Sequence, residues 1–227
     1  SAGIFRKIHL FCTDKSKFHT FAKKYLTMVD KIHSLIHKEI EAILQIPVNE
    51  AYEKAIELLN EHIHQKRGKL ITSGMGKAGQ IALNIATTFS STGSCAVYLH
   101  PSEAQHGDLG VLRPEDVLLL LSNSGKTREI VELLELSKRM YPDIPAIVIT
   151  GNAQSELAQN AEIVLFTGGA PEICPLGVTP TTSTTVMTII GDMLVVGLME
   201  KIGFTKEEYA KRHHSGYLGS KSRGEIH

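Results

Sequence analysis

The sequence predicts an α/β fold built on a parallel sheet with helices on both faces. Two observations carry this. Past Gly68, five short apolar runs recur: Lys69–Ser73, Cys95–Leu99, Val117–Leu121, Ala146–Thr150 and Ile163–Phe166. Helical patterns separate most of them, notably Ala78–Ser90 and Arg128–Tyr141. Strands that read as continuous apolar runs rather than alternating ones are buried on both faces, and intervening helices supply the crossovers that parallel pairing needs. A chain of 227 residues is long enough for one large domain of this kind.

Ahead of the sheet the periodicity is helical. From Lys15 to about Leu44, Phe18, Phe21, Ala22, Tyr25, Met28, Val29, Ile32, Leu35, Ile36, Ile40 and Ile43 recur at three- and four-residue spacing, and Pro47 closes the segment. A second helix, about Asn49–Gln65, carries Ala51, Ala55, Leu58, Leu59 and Ile63 on one face, and Gly68 marks the change of regime. After the last strand two helices are expected, about Thr181–Ile202 and Thr205–Arg212, and then a polar, Gly/Ser-rich loose tail from Gly216 to His227.

Composition narrows the function classes. Lys plus Arg equals Asp plus Glu at 24 each, so nothing in the charge balance points to a nucleic-acid partner. Cys12, Cys95 and Cys174 are odd in number and far apart, which suits no disulfide framework and fits a reducing, cytoplasmic setting. No apolar h-region follows the basic pair Arg6 and Lys7. The longest apolar stretch, Val186–Met199, is interrupted by Thr188, Gly191 and Asp192 and falls short of the roughly 20 residues a bilayer requires, so no membrane partner is expected.

In an open parallel sheet the ligand sits beyond the carboxyl ends of the strands, so the residues after each strand are the informative ones. The first run continues into Ser73-Gly74-Met75-Gly76-Lys77-Ala78-Gly79, a literal GxGxxG at a helix start. A nicotinamide site would add an acidic residue at the end of the second strand, which instead reads Tyr98-Leu99-His100-Pro101. The third run ends in Ser122-Asn123-Ser124-Gly125-Lys126-Thr127. Its hydroxyls and fresh helical N–H groups suit a phosphate, and equally a capping cluster at a strand–helix turn. A nucleotide P-loop is excluded, because its first glycine would fall on Leu120.

The second run opens into His100-Pro101-Ser102-Glu103-Ala104-Gln105-His106-Gly107-Asp108-Leu109-Gly110, a long polar loop rich in acid–base side chains. The spacing of His100, His106 and Asp108 matches no common zinc pattern, so no metal and no other cofactor is assigned. His33, His37, His62 and His64 read as surface histidines. After the fifth run come Glu172-Ile173-Cys174-Pro175-Leu176-Gly177 and a hydroxyl-rich helix start, Thr179 to Thr185. Glu172 with Thr181, Thr182 and Ser183 reads either as a base with polar contacts to sugar hydroxyls or as an ordinary helix cap.

Taken in order, Gly-Met-Gly-Lys, His-Pro-x-Glu-Ala-x-His-Gly-Asp-Leu-Gly, Ser-Asn-Ser-Gly, Cys-Pro-Leu-Gly and Thr-Ser-Thr-Thr resemble the sugar isomerase (SIS) domain of arabinose-5-phosphate isomerases. The resemblance covers about Gly68–Gly219. It implies a five-stranded parallel sheet sandwiched by helices, a flavodoxin-like three-layer arrangement, in a homotetramer. The implied layout is an N-terminal helical segment 1–47, an isomerase domain 48–219 and a tail 220–227. The implied reaction interconverts ribulose 5-phosphate and arabinose 5-phosphate on the route to Kdo and lipopolysaccharide. Carried over position by position, the acid–base set is Lys77, His106, Glu129, Glu172 and His213. The sugar-phosphate contacts are Ser73, Gly76, Ser122, Asn123, Ser124, Thr127, Thr181, Thr182 and Ser183. Three departures matter. Lys126 stands where relatives often have Glu. His213-His214-Ser215-Gly216 replaces His-Pro-Gly-Gly, which leaves His213 and His214 as rivals. The chain also ends before the paired CBS modules of many relatives, so control is expected at the isomerase domain, with CMP-Kdo as a candidate feedback ligand.

Overall fold

A computed structural model describes residues 27–224. The part of the first predicted helix before Thr27 lies outside the described residues. The described chain falls into two units that meet in sequence between Glu41 and Ala42.

Helix α1, Met28–Leu44, is amphipathic, and Met28, Val29, Ile32, Leu35, Ile36 and Ile40 on it are exposed. Helix α2, Glu50–Leu59, is capped by Asn49, whose side chain accepts from the Ala51 amide, and it continues as a π-helical stretch Asn60–Gln65. Then come β1 Leu70–Gly74, α3 Gly76–Ser91, β2 Ala96–Tyr98, a single turn α4 Pro101–Ala104, and a 3-10 turn Asp108–Val111. They are followed by β3 Val117–Leu121, α5 Arg128–Met140, β4 Ala146–Thr150, α6 Glu156–Gln159, β5 Ile163–Phe166 and α7 Thr182–Lys201. Two short helices, α8 Lys206–Arg212 and α9 Gly216–Ser222, close the described chain.

The five strands are all parallel, in the order β2-β1-β3-β4-β5. Every residue of β1, β3 and β4 is buried, which is why these runs read as unbroken apolar stretches. The two-residue pleat splits them between two cores. Val117, Leu119 and Leu121 of β3 join Leu59, Phe89, Ile190 and Leu194 on the face covered by α2, α3 and α7. Leu118 and Leu120 meet Ile130, Leu133 and Leu157 beneath α5 and α6. At about 25 cal/mol per Å² of apolar surface, these two cores are the main favourable contribution to the fold.

Helix α7 is 20 residues long with mean hydropathy 1.5, long and apolar enough by those measures to cross a membrane, yet half of that stretch is buried inside the protein. It packs against α2 and α3 and shares their core with the sheet, as a core helix does.

Two expectations are corrected. The loose tail from Gly216 is helical through Ser222, because Gly219 packs so closely on the His213 carbonyl that a Cβ would lie 2.3 Å from its oxygen. His62 is not at the surface: it is 6% exposed, with Nδ1 2.8 Å from the Glu115 carbonyl oxygen. His64 is half-buried against the Ser94 hydroxyl.

Candidate active site at the sheet switch point

The order β2-β1-β3 means that chain connections diverge between β1 and β3, and a cavity of about 330 Å³ opens beyond their carboxyl ends. Its wall takes Met75, Lys77 and Ala78 from the start of α3, and Leu121, Ser122, Asn123, Ser124 and Thr127 from the end of β3. Glu172, Gly177, Val178, Pro180, Ser183, Thr184 and Met187 come from the loop before α7 and its first turns.

The glycines of the first motif act by close approach. A Cβ on Gly79 would sit 2.5 Å from the Gly74 carbonyl oxygen, and one on Gly74 2.7 Å from that of Ala78, so α3 starts hard against β1. This places Lys77 in the first turn of α3, exposed on the pocket wall and in no ion pair among the described residues. Gly76, with φ +59°, is exposed between two wall residues. Ser73 lies outside the pocket: it is completely buried, and its hydroxyl donates to the Leu99 carbonyl at 2.6 Å, tying β1 to the end of β2.

In the β3 loop the hydroxyls divide their work. Ser122 Oγ accepts from the Gly125 amide at 3.1 Å and lies 2.9 Å from Thr127 Oγ1, so this pair shapes the turn. Ser124 Oγ accepts from the Lys126 amide at 3.2 Å, and Asn123 and Ser124 are both exposed, the Asn123 side chain lying against Gly151. The turn reading of the motif therefore holds for Ser122 and Thr127, while Asn123 and Ser124 are exposed at the cavity. Lys126 is exposed and lies off the wall.

Glu172 is the carboxylate of the pocket. Its Oε2 accepts from the Thr181 amide at 2.7 Å, the Thr181 hydroxyl at 2.9 Å and the Ser183 amide at 3.3 Å. Burial pushes its carboxyl up, but hydrogen bonds from Ser183 and Thr181 outweigh that and hold it below the ordinary value. Thr182 is buried, and its Oγ1 accepts from the Ile173 amide at 3.1 Å. Of the three hydroxyl residues expected at the sugar, only Ser183 lies on the wall, while Thr181 and Thr182 hold the loop that carries Glu172.

The other three acid–base residues lie off this wall. His106 is exposed in the turn after α4, and Glu129 is half-buried in the first turn of α5. His213 follows α8, past a helix about 30 Å long that starts at the pocket. Near it the Arg212 guanidinium lies 5.5 Å from the Phe204 ring, and that ring abuts Gly93, in the loop leading into β2. His213 thus sits at the pole of the sheet opposite the pocket, its ring stacked on Tyr209 at 3.7 Å. His214 is exposed beside it. Met75, Ala78, Leu121, Gly177, Val178, Pro180, Thr184 and Met187 line the wall outside the set expected from the sequence. Their only signal was adjacency to a motif, or for Met187 one helical turn from Ser183. Among the described residues no three His, Cys, Asp or Glu side chains converge as metal ligands.

Fold and pocket together define an α/β protein with a polar-lined cavity at the switch point of a parallel sheet. The SIS domain profile matches residues 62–197, and the chain belongs to the SIS domain family. It is 42% identical over 186 residues to the arabinose 5-phosphate isomerase KdsD of Shigella flexneri, covering 82% of this chain and 55% of that one. The KdsD of Pseudomonas aeruginosa is 43% identical over 196 residues, 84% of this chain and 58% of the relative. The chain therefore spans a little over half the length of these curated relatives. Among solved structures, one from Bacteroides fragilis NCTC 9343 is provisionally described as a phosphosugar isomerase involved in capsule formation. It superposes with a TM-score of 0.83 at 63% identity, over 84% of this chain and 100% of that one. E. coli CFT073 c3406, solved in complex with arabinose 5-phosphate, superposes at 0.75 with 33% identity, over 82% and 99% of the two chains.

Proposed function

We propose that this protein is an aldose–ketose isomerase that interconverts D-ribulose 5-phosphate and D-arabinose 5-phosphate through an enediolate, the first step toward Kdo for lipopolysaccharide. The observation that carries the reading is the meeting of Lys77, Glu172 and the Ser122–Thr127 loop in one switch-point cavity. The similarity to KdsD proteins and to a chain bound to arabinose 5-phosphate supports the choice of sugar.

Moving a proton between C1 and C2 needs a base for the carbon-bound proton and an electrophile for the developing oxyanion. Glu172 is ionised at neutral pH, the form a base requires, and Lys77 faces the same cavity as the cation for the enediolate oxygen. Asn123, Ser124 and Thr127 take the phosphate, and residues 48–219 make up the functional domain. His106 and His213 open the sugar ring and shuttle protons between oxygens, and Glu129 orients one of these groups. Since His213 lies at the far pole of its own chain, a second copy in a homotetramer supplies that imidazole. We place the enzyme in the cytoplasm, needing no added cofactor, with CMP-Kdo as a feedback ligand.

The test is a coupled assay with arabinose 5-phosphate and with free arabinose. Turnover of the phosphate ester and very poor turnover of the free sugar are expected, because the remote phosphate supplies binding energy that positions the reacting carbons. Equal turnover would remove the β3 loop from phosphate binding, and tight binding without turnover would make the protein a sugar-phosphate sensor.

A further inference from the structure

A threonine at a helix N-cap ordinarily accepts a hydrogen bond from an amide two or three residues ahead, satisfying one of the orphan N–H groups of the first turn. Thr181 precedes α7 and does not do this: no side-chain cap bond forms, and its φ of −131° and ψ of −79° lie away from the usual extended cap. The cap comes instead from nine residues upstream, where Glu172 Oε2 takes the Thr181 and Ser183 amides at 2.7 and 3.3 Å. A carboxylate oxygen only accepts, so the 2.9 Å contact between Thr181 Oγ1 and Glu172 Oε2 has the hydroxyl as donor. The adjacent residues are clipped together as well, with the Ile173 amide donating to the buried Thr182 hydroxyl at 3.1 Å. Two consecutive residues before the loop are thereby bonded to consecutive residues at the helix start.

Glu172 lies on the cavity wall, and Thr181 does not. Any effect of the Thr181 side chain on chemistry in the cavity must therefore pass through the carboxylate it holds. We propose that Thr181 is a positioning residue: its hydroxyl, with the amides of Thr181 and Ser183, fixes the orientation of Glu172 on the cavity wall. The assignment of a catalytic consequence rests on Glu172 acting as the base in the isomerisation proposed above.

Besides the Thr181 hydroxyl and the two amides, burial and the Ser183 hydroxyl act on the carboxylate. From α3 the cavity receives the Lys77 ammonium, and from the β3 loop it receives hydroxyls and an amide with no charge on the wall. Lys126 of that loop is exposed off the wall. The Cys174 thiol lies two residues along the loop and takes its own hydrogen bond from the Thr179 amide at 3.4 Å. Hydrogen bonds from Ser183 and Thr181, working against burial, set the direction in which the Glu172 carboxyl is displaced. A hydrogen bond to a charged group contributes more than one between neutral groups, so deleting the one hydroxyl is expected to be measurable.

The experiment compares the full chain with Thr181→Val and Thr181→Ser, after thermal unfolding shows that each variant folds. Valine keeps the shape and removes the donor, and serine restores it. Thr181→Val is expected to lower kcat by about tenfold with KM little changed, the effect of one charge-assisted hydrogen bond. The acid limb of its rate profile should move to higher pH, and Thr181→Ser should return both toward the parent. An activity-independent readout accompanies this: infrared titration of protein labelled with ¹³C-carboxyl glutamate, with Glu172→Gln identifying the Glu172 band. The Glu172 band of Thr181→Val should titrate at higher pH than that of the parent. A parent without isomerase activity would overturn the proposed reaction while the infrared titration still decides whether the clamp exists. An unchanged Glu172 band and rate profile in Thr181→Val would overturn the clamp. A rise in KM alone would show that Thr181 contacts substrate instead.

Discussion

Lys69 Nζ lies 2.6 Å from Asp116 Oδ2 at the amino ends of β1 and β3, with the Asp116 side chain only 1% exposed. The same carboxylate accepts from the Lys69 amide at 2.9 Å and the Arg113 amide at 2.8 Å. One aspartate thus stitches together the starts of the two strands whose far ends form the pocket. Breaking a buried ion pair by removing one partner typically costs about 3–5 kcal/mol, because the remaining groups are left uncompensated. Asp116→Ala should lower stability by roughly that amount in urea unfolding, while KM for the sugar phosphate changes little. A loss below about 1 kcal/mol would mean that water satisfies the donors that Asp116 holds.

Glu172→Gln keeps the shape of the side chain and removes the negative charge. Loss of a general base costs about 10² to 10⁴ in rate, so kcat should fall by that factor while product binding is largely retained. A variant within a few-fold of the parent would pass the role to His106 or another group. The pH dependence has a definite sign. Because the folded carboxyl is held below its ordinary value of 4.5, it stabilises the native state above that value. The contribution disappears as pH falls through the lower, folded value. Thermal melts across this acid range should therefore fall less steeply for Glu172→Gln than for the parent.

Cys174 offers a chemical probe of the same loop. Hydrogen bonds from Thr179, Val178 and Leu176 bring its thiol down to about 6, against an ordinary value of 9.0. At neutral pH it is largely thiolate, the reactive form. Iodoacetamide should label Cys174 well ahead of the exposed Cys95. The rate should hold nearly constant above pH 7 and fall below pH 6, as peptide mapping over a pH series would show. Equal labelling of the two cysteines would mean that the loop does not hold these bonds in solution.

CMP-Kdo should inhibit competitively, its anionic groups meeting Lys77 and the open donors of the β3 loop. Lys126 is exposed off the wall, so Lys126→Glu tests whether a charge at the rim reaches the ligand. Weaker inhibition in the variant is expected. Identical competitive inhibition would keep feedback and remove Lys126 from it, and no inhibition at millimolar concentration would end the idea.

Much of the fold is legible in the chain. Val117–Leu121, Ala146–Thr150 and Ile163–Phe166 are strands at the residues where the apolar runs begin and end, and the first two, central in the sheet, must be apolar on both faces. Less legible were α4 and the 3-10 turn Asp108–Val111, since one-turn helices carry no periodicity and the region read as a polar loop. The second predicted helix ran on into the π-helical turn Asn60–Gln65, a change of hydrogen-bond pitch that composition does not announce.

The sequence by itself determined that strand ends alternate with helix starts, and so which short motifs crowd the carboxyl edge of the sheet. That information is local: a strand's direction and the residues that follow it are properties of contiguous chain. The tertiary structure alone decided which motif members face the cavity. Ser73 belongs to a pocket motif, yet the pleat turns it inward to the Leu99 carbonyl. Thr181 and Thr182 share a hydroxyl-rich stretch with Ser183, yet the approach of residues 172 and 173 consumes them. His213 matches in type, but the length of α7 carries it to the opposite pole. Such distances are set by packing between segments far apart in the chain, and residue type and spacing do not encode them.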